Sequence, residues 1–234
     1  EKWQFSNKIH ASISWDGRNY VDKIPHGYVL SASFTYAGGI LGGLSNYNKI
    51  ALSASLYRGI WQFGSKEEGN LKNLILGVSS EIDLMLPQYW LFGDSTGWKN
   101  PKMGATKYEM LYIDGMNIGR GFSVVYDQAF LWNNQVDLTF PLAEDVLSLE
   151  AFVSATGVQS DLEKINSLSS INWYLAAGAG IKMEIPGFPL GLYLVKNATI
   201  KNNEGWKWQN GSLFSGSKEG SGLSLVLAIT TSIY

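Results

Sequence analysis

From Trp3 to Asp16 apolar and polar residues alternate one by one. Trp3, Phe5, Ile9, Ala11, Ile13 and Trp15 hold odd positions, with Asn7 among them, while Gln4, Ser6, Lys8, His10, Ser12, Ser14 and Asp16 hold the even ones. Successive side chains on a strand point to opposite faces of a sheet, so this segment carries one apolar and one polar face; a helix would mix the two sets. The pattern recurs. Tyr28, Leu30, Ala32, Phe34 and Tyr36 alternate with Val29, Ser31, Ser33 and Thr35, and Ile50, Leu52, Ala54, Leu56 and Ile60 with Ala51, Ser53, Ser55 and Tyr57. Leu74, Leu76, Val78, Ile82 and Leu84 alternate with a set including Gly77, Ser79, Glu81 and Asp83. Near the end Leu223, Leu225, Leu227, Ile229, Thr231 and Ile233 oppose Ser224, Val226, Ala228, Thr230 and Ser232.

Further strands are predicted near 128–141, 145–157, 170–185 and 188–200, giving about nine in all. Many run for about ten residues or more, longer than the usual five or six, and a tilted strand that crosses a bilayer needs about 9–11. Turn chemistry separates them: Gly17, Asn19, Pro25 and Gly27; the Gly-rich stretch 38–48; polar 66–70; and Pro186, Gly187 and Pro189. Gly38, Gly39, Gly42 and Gly43 precede no helix, so they read as a tight turn or a close approach to a neighbouring loop and not as a phosphate cradle. Two longer connections stand out, at about 87–127 and 201–220. Membrane barrels have short turns on one side and long loops on the other.

Composition sharpens this picture. Charged residues are only 16% of the 234, against about 25% in a typical soluble domain, while aromatics reach 13% with nine Trp and twelve Tyr. The polar faces are rich in Ser, Gly and Thr and poor in Lys and Glu, unlike sheets that face water. Trp3, Trp15, Trp61, Phe63, Tyr89, Trp90, Trp132, Trp173, Tyr174, Tyr193 and Tyr234 fall near strand ends, as interfacial girdles require. No run of about 18 apolar residues occurs, so no transmembrane helix is expected. Lipid offers no partner to backbone N–H and C=O groups, which leaves a closed barrel as the spanning structure. The fold expected is all-β, an antiparallel transmembrane β-barrel with about eight to ten meandering strands here. We read residues 1–234 as a single, partial barrel domain belonging to a longer chain, since Glu1 lies inside a strand pattern with no initiator Met or signal segment before it.

Chemistry is sparse. The net charge of −2 and the lack of a basic stripe argue against nucleic acid, and the absence of cysteine removes disulfides and thiolate ligands. His10 and His26 have no partner at metal-ligand spacing, and no Ser elbow with a partner histidine is present, so no cofactor, metal or catalytic set is expected.

Three segments, WDGRNYVDKIPHGY at 15–28, GMNIGRGF at 115–122 and QVDLTFPLAEDVLSLEAFVSATG at 135–157, together with the alternating last strand and its terminal Tyr234, resemble the BamA family of outer-membrane barrel assembly factors. Their order matches across nearly the whole chain. The resemblance implies the C-terminal part of a barrel of about sixteen strands in the bacterial outer membrane. It makes 87–127 the family's loop 6, with Gly119, Arg120, Gly121 and Phe122 as its motif. It further implies that Arg120 folds into the lumen against a wall acid, for which Asp137 is the first candidate and Glu150 a weaker one. A second family acid would fall at Ala155, a departure from the pattern. The seam, or β-signal, strand would be Gly222–Tyr234, with Leu225, Leu227 and Ile229 on its outer face. The partners implied are outer-membrane lipids, nascent β-barrel proteins, and assembly lipoproteins bound through periplasmic POTRA domains. The function implied is folding and insertion of barrel proteins at an unstable seam, without enzymatic chemistry. A secretion pore of the same superfamily, of the two-partner or TamA kind, and a passive structural or adhesive barrel are the alternatives.

Overall fold

The computed structural model describes residues 5–21, 24–64, 72–87, 104–106, 108–143, 146–185, 188–202 and 204–229. Thirteen strands form among them. Nine are the long or terminal strands expected from alternation: β1 (Lys8–Asp16), β3 (Ile24–Ala37), β4 (Tyr47–Phe63), β5 (Lys72–Pro87), β8 (Phe130–Ala143), β9 (Leu147–Gln159), β10 (Asn172–Ile185), β11 (Phe188–Lys201) and β13 (Ser224–Ile229). Four are short: β2 (Asn19–Val21), β6 (Leu111–Ile113), β7 (Val125–Gln128) and β12 (Gly205–Trp208). Eleven strands make one antiparallel sheet in the order β1-β3-β4-β5-β8-β9-β10-β11-β12, with β2 added to β3 and β13 to β11; β6 and β7 form a separate pair. Among the described residues β1 and β13 are not paired with each other, and no helix is long and apolar enough to cross a membrane.

The connections sort by side. At one end of the strands lie the short connections β1–β3, β4–β5, β8–β9 and β10–β11. At the other lie 38–46, the long stretch between β5 and β8, and 160–171. The long connections also hold more structure than alternation reveals. The segment 87–127 carries β6 and β7, and 201–220 carries β12, because these strands are too short to show a period.

The two faces of the sheet are inverted relative to a sheet in water. On β9, Ser148, Glu150, Ser154 and Thr156 are buried, while Leu149 and Val153, pointing the other way, are exposed. The same open face shows Ile13, Trp15, Leu30, Phe34, Leu52, Leu56, Val136, Leu138, Ile181, Leu192, Leu194, Leu225 and Leu227. No second layer of described residues covers it. Antiparallel sheets in water bury the apolar face and wet the polar one. Here the described residues of 104–129 lie on the polar face and bury part of it, while the polar side chains of β1 stay exposed; Met110, Leu111 and Ile113 pack with Ala37, Tyr47, Met85, Leu131 and Val158.

Rings gather at both strand ends on the open face. Phe63 meets both Trp61 and Phe140 at one end, and Trp132 meets Trp173 at the other. From Trp132 to Phe140 is eight residues, about 26 Å along the strand at ~3.3 Å each. Two expected girdle positions turn out otherwise. Tyr174 and Tyr193 point to the loop-covered face, where Tyr193 is fully buried, because each holds the inward phase of its strand. Trp3, Tyr89, Trp90 and Tyr234 lie outside the described residues.

Candidate functional site

The segment Asp114–Phe122 is a compact, self-bonded turn. The Asp114 carboxylate accepts the backbone N–H groups of Met116, Asn117 and Ile118 at 2.8, 2.8 and 2.9 Å. Gly121 N–H donates to the Gly115 carbonyl and Phe122 N–H to that of Gly119. Gly121 has φ +83°, where a side chain would be strained, and a Cβ there would also press on Asn197 and Val226. An aspartate bonding its own downstream backbone is the usual way to fix such a turn, and here it aims Arg120 at the sheet.

Arg120 is 6% exposed. Its Nη1 donates to Glu150 Oε1 at 2.8 Å. Its guanidinium carbon lies 4.5 Å from the Phe152 ring centre and 4.6 Å from that of Tyr193, two rings that meet edge to face. The charge is thus paired once and laid over two π-faces, the environment a planar guanidinium tolerates when water is excluded. Asn197 Nδ2 donates to the Arg120 carbonyl at 2.7 Å. Phe122 meets Tyr174 edge to face and joins two buried apolar clusters among the described residues.

Asp137 does not make this contact, although the expectation ranked it ahead of Glu150. Its carboxyl leans over Gly77 on β5, in space that a Cβ would fill at 2.5 Å, and accepts from Gln135 Nε2 at 3.4 Å. Glu150 sits one strand nearer to β11, on the side where Asn197 holds the motif. Asp137 instead lines, with Glu81, Glu150, Arg120, Lys182 and serines 53, 55 and 79, a polar cavity of about 270 Å³. Fixed charges and hydroxyls round a space of this size make it a place for ordered water.

A second anchor lies earlier in the same loop. Glu109 accepts from Lys8 Nζ at 2.7 Å, Ser45 Oγ at 2.6 Å, Ser6 Oγ at 3.1 Å and the Thr106 backbone N–H at 2.8 Å. Burial works against its charge, but the donors from Lys8, Ser45 and Thr106 outweigh it and hold the carboxyl at about 2. Gly104 also approaches Asn46 in the Gly-rich 38–48 turn, where Gly39–Leu41 forms a 3-10 turn. The loop therefore grips β1 and the β3–β4 turn at one point and β9 and β11 at another.

Alternation places Phe152, Tyr193, Asn197 and Lys182 on the polar face but gives no reason to single them out. Glu109 lies in a loop with no period at all. Gly222 has φ +82°, and Leu225 and Leu227 are exposed on the open face; Ile229 pairs with Leu190, and Tyr234 lies outside the described residues. Among the described residues no group of three or more His, Cys, Asp or Glu could hold a metal ion.

Fold and site together define an all-β protein with one large antiparallel sheet, an apolar open face, and a polar face partly occupied by an anchored loop. Comparison with models of protein families, with curated proteins and with solved structures finds no match to this chain.

Two outcomes follow from the anchors. Glu150→Ala strands a buried guanidinium and is expected to cost about 3–5 kcal/mol, whereas Asp137→Ala costs clearly less; denaturant midpoints of the two variants measure this, and the reverse order would refute the assignment. Glu109 titrates below the ordinary carboxylate value of 4.5 in the folded chain, so its stabilisation is full above that pH and is lost as pH falls toward about 2. Stability measured across this window should fall less steeply in Glu109→Gln.

Proposed function

We propose that the chain is part of the wall of a BamA-type barrel in the bacterial outer membrane, and that it folds and inserts other β-barrel proteins there. The observation that carries the membrane part is the inverted sheet: buried Ser148, Glu150, Ser154 and Thr156 behind exposed Leu149 and Val153. Hydrocarbon is the solvent in which such a face is at its lowest free energy, and ring girdles at both ends suit the two headgroup layers. The side with short turns would face the periplasm. The side with the 38–46 and 160–171 connections would face outward.

The assembly part leans on the Arg120-Gly121-Phe122 motif and on the form of the sheet edge. The strand beyond β11 is in two pieces: β13 pairs with 190–195 and β12 with 198–201. An interrupted edge is less firmly zipped than a continuous one, and an incoming strand can add main-chain hydrogen bonds that are costly to leave unmade in lipid. Nascent barrel proteins are then the clients, bilayer lipid is the other partner, and no catalytic group is needed. Assembly lipoproteins would bind through periplasmic domains joined to the barrel.

Val153→Arg, at the centre of β9, is expected to cost about 2–4 kcal/mol in lipid vesicles, the price of a charge at the bilayer midplane; a change within ~0.5 kcal/mol would mean that this face meets water. Arg120→Ala, expressed in place of the native protein, should lower the amounts of other outer-membrane barrels while the variant itself still reaches the membrane. Unchanged client levels would favour a passive structural barrel. Normal client levels with loss of one exported polypeptide would favour a secretion pore.

A further inference from the structure

The break in the edge strand is filled from both faces of the sheet by two neighbouring residues. β13 stops pairing with β11 at Val195, and β12 begins at Ala198. Lys196 and Asn197 are the β11 positions between them. Asn197 points to the loop-covered face and holds the Arg120 carbonyl at 2.7 Å. Lys196 points to the open face, in phase with Leu192 and Leu194. Its ammonium donates to the carbonyls of Gln209, Gly220 and Gly222 at 3.2, 2.5 and 2.8 Å.

Those carbonyls belong to the chain between β12 and β13. It leaves the sheet as a small hairpin closed by Gly211 on Ser221 and by reciprocal bonds between Leu213 and Leu223. Gln209 N–H returns to the Asn197 carbonyl at 2.9 Å, so the hairpin is tied to both residues of the gap. The loop motif also touches the edge directly. Gly121 lies against Asn197 and Val226, the latter a β13 residue in the apolar cluster that Phe122 joins.

We propose that Lys196 and Asn197 form a coupling hinge, through which engagement of the Arg120–Phe122 motif on one face sets how firmly the hairpin and β13 are held to β11. Asn197 is the inner half of the hinge. With it seated on the motif, the backbone of the gap is fixed, and Lys196 is aimed at its three carbonyls. Without it the gap is free to move and the ammonium loses its position. Lys196 is the outer half: one cation replaces the ladder hydrogen bonds that a continuous strand would have made. Hydrogen bonds to a charged donor are the stronger kind, and in lipid the three carbonyls would otherwise have no donor. The last point rests on the proposed membrane setting; the coupling itself does not.

The test is hydrogen exchange on the full-length protein in detergent micelles, read at 118–122, 209–223 and 224–229, with residues 50–58 of β4 as a remote control for folding. Lys196→Met is expected to speed exchange at 209–229 about tenfold or more, with a smaller rise at 118–122 because coupling is reciprocal, and Lys196→Arg to restore both. Asn197→Ala is expected to speed exchange in both regions. If Asn197→Ala loosens 118–122 and leaves 224–229 at the wild-type rate, there is no coupling. If Lys196→Met leaves 209–229 unchanged, the latch is absent. Asn197→Ser, a smaller change, carries the same comparison should the alanine variant fail to fold. Client assembly is scored separately in cells, so exchange changes without any effect on clients would retain the hinge and remove the proposed function.

Discussion

A sheet one layer thick cannot bury both of its faces in itself. Its ladder hydrogen bonds satisfy the backbone, but each face needs a medium or a covering. In this protein the polar face takes the covering and the apolar face does not. That choice governs the rest of the structure. A loop must reach across the polar face, and the loop must be held there against the entropy of ordering a long segment.

Two side chains hold it, and they use different physics. Glu109 is an acceptor surrounded by donors from β1, the β3–β4 turn and its own loop. Those donors favour its charged form, so the anchor is sensitive to acid. Arg120 is sealed between Phe152 and Tyr193 with Glu150 as its counter-charge. A pair so buried contributes little net stability over an apolar substitute, yet it is costly to break by halves. It therefore acts as a registry pin: it fixes one position of the motif on the wall and penalises others. Tyr193 can lie there because Gly180 and Gly191 beside it carry no Cβ to collide with its ring.

The edge of the sheet is where this registry can matter beyond the loop. A strand in two pieces leaves a gap, and the gap is bridged by the residue that holds the motif and by its neighbour. On the proposed reading, the seam where a client strand would add and the loop inside the barrel are then not independent parts. The same contacts are intelligible in any single-layer sheet, because a broken edge strand leaves carbonyls that some donor must meet.

The long strands could be read from the chain because their side chains alternate for ten residues or more, and in β9 the alternation of Ser148, Glu150, Ser154 and Thr156 with Leu149 and Val153 is also the map of what is buried. The scarcity of charge on the polar set was legible too. The Arg120 motif was visible as a glycine-flanked arginine in a long connection. Which acid it meets was not, because Asp137 and Glu150 share a face, and only their lean, toward Gly77 or toward the loop, separates them. Glu109, the β12–β13 break and the Lys196 clamp were hidden for a related reason. They depend on residues some 13 to 103 apart meeting at turns without a period, and distance in space across such turns is fixed by the folded sheet, not by spacing along the chain.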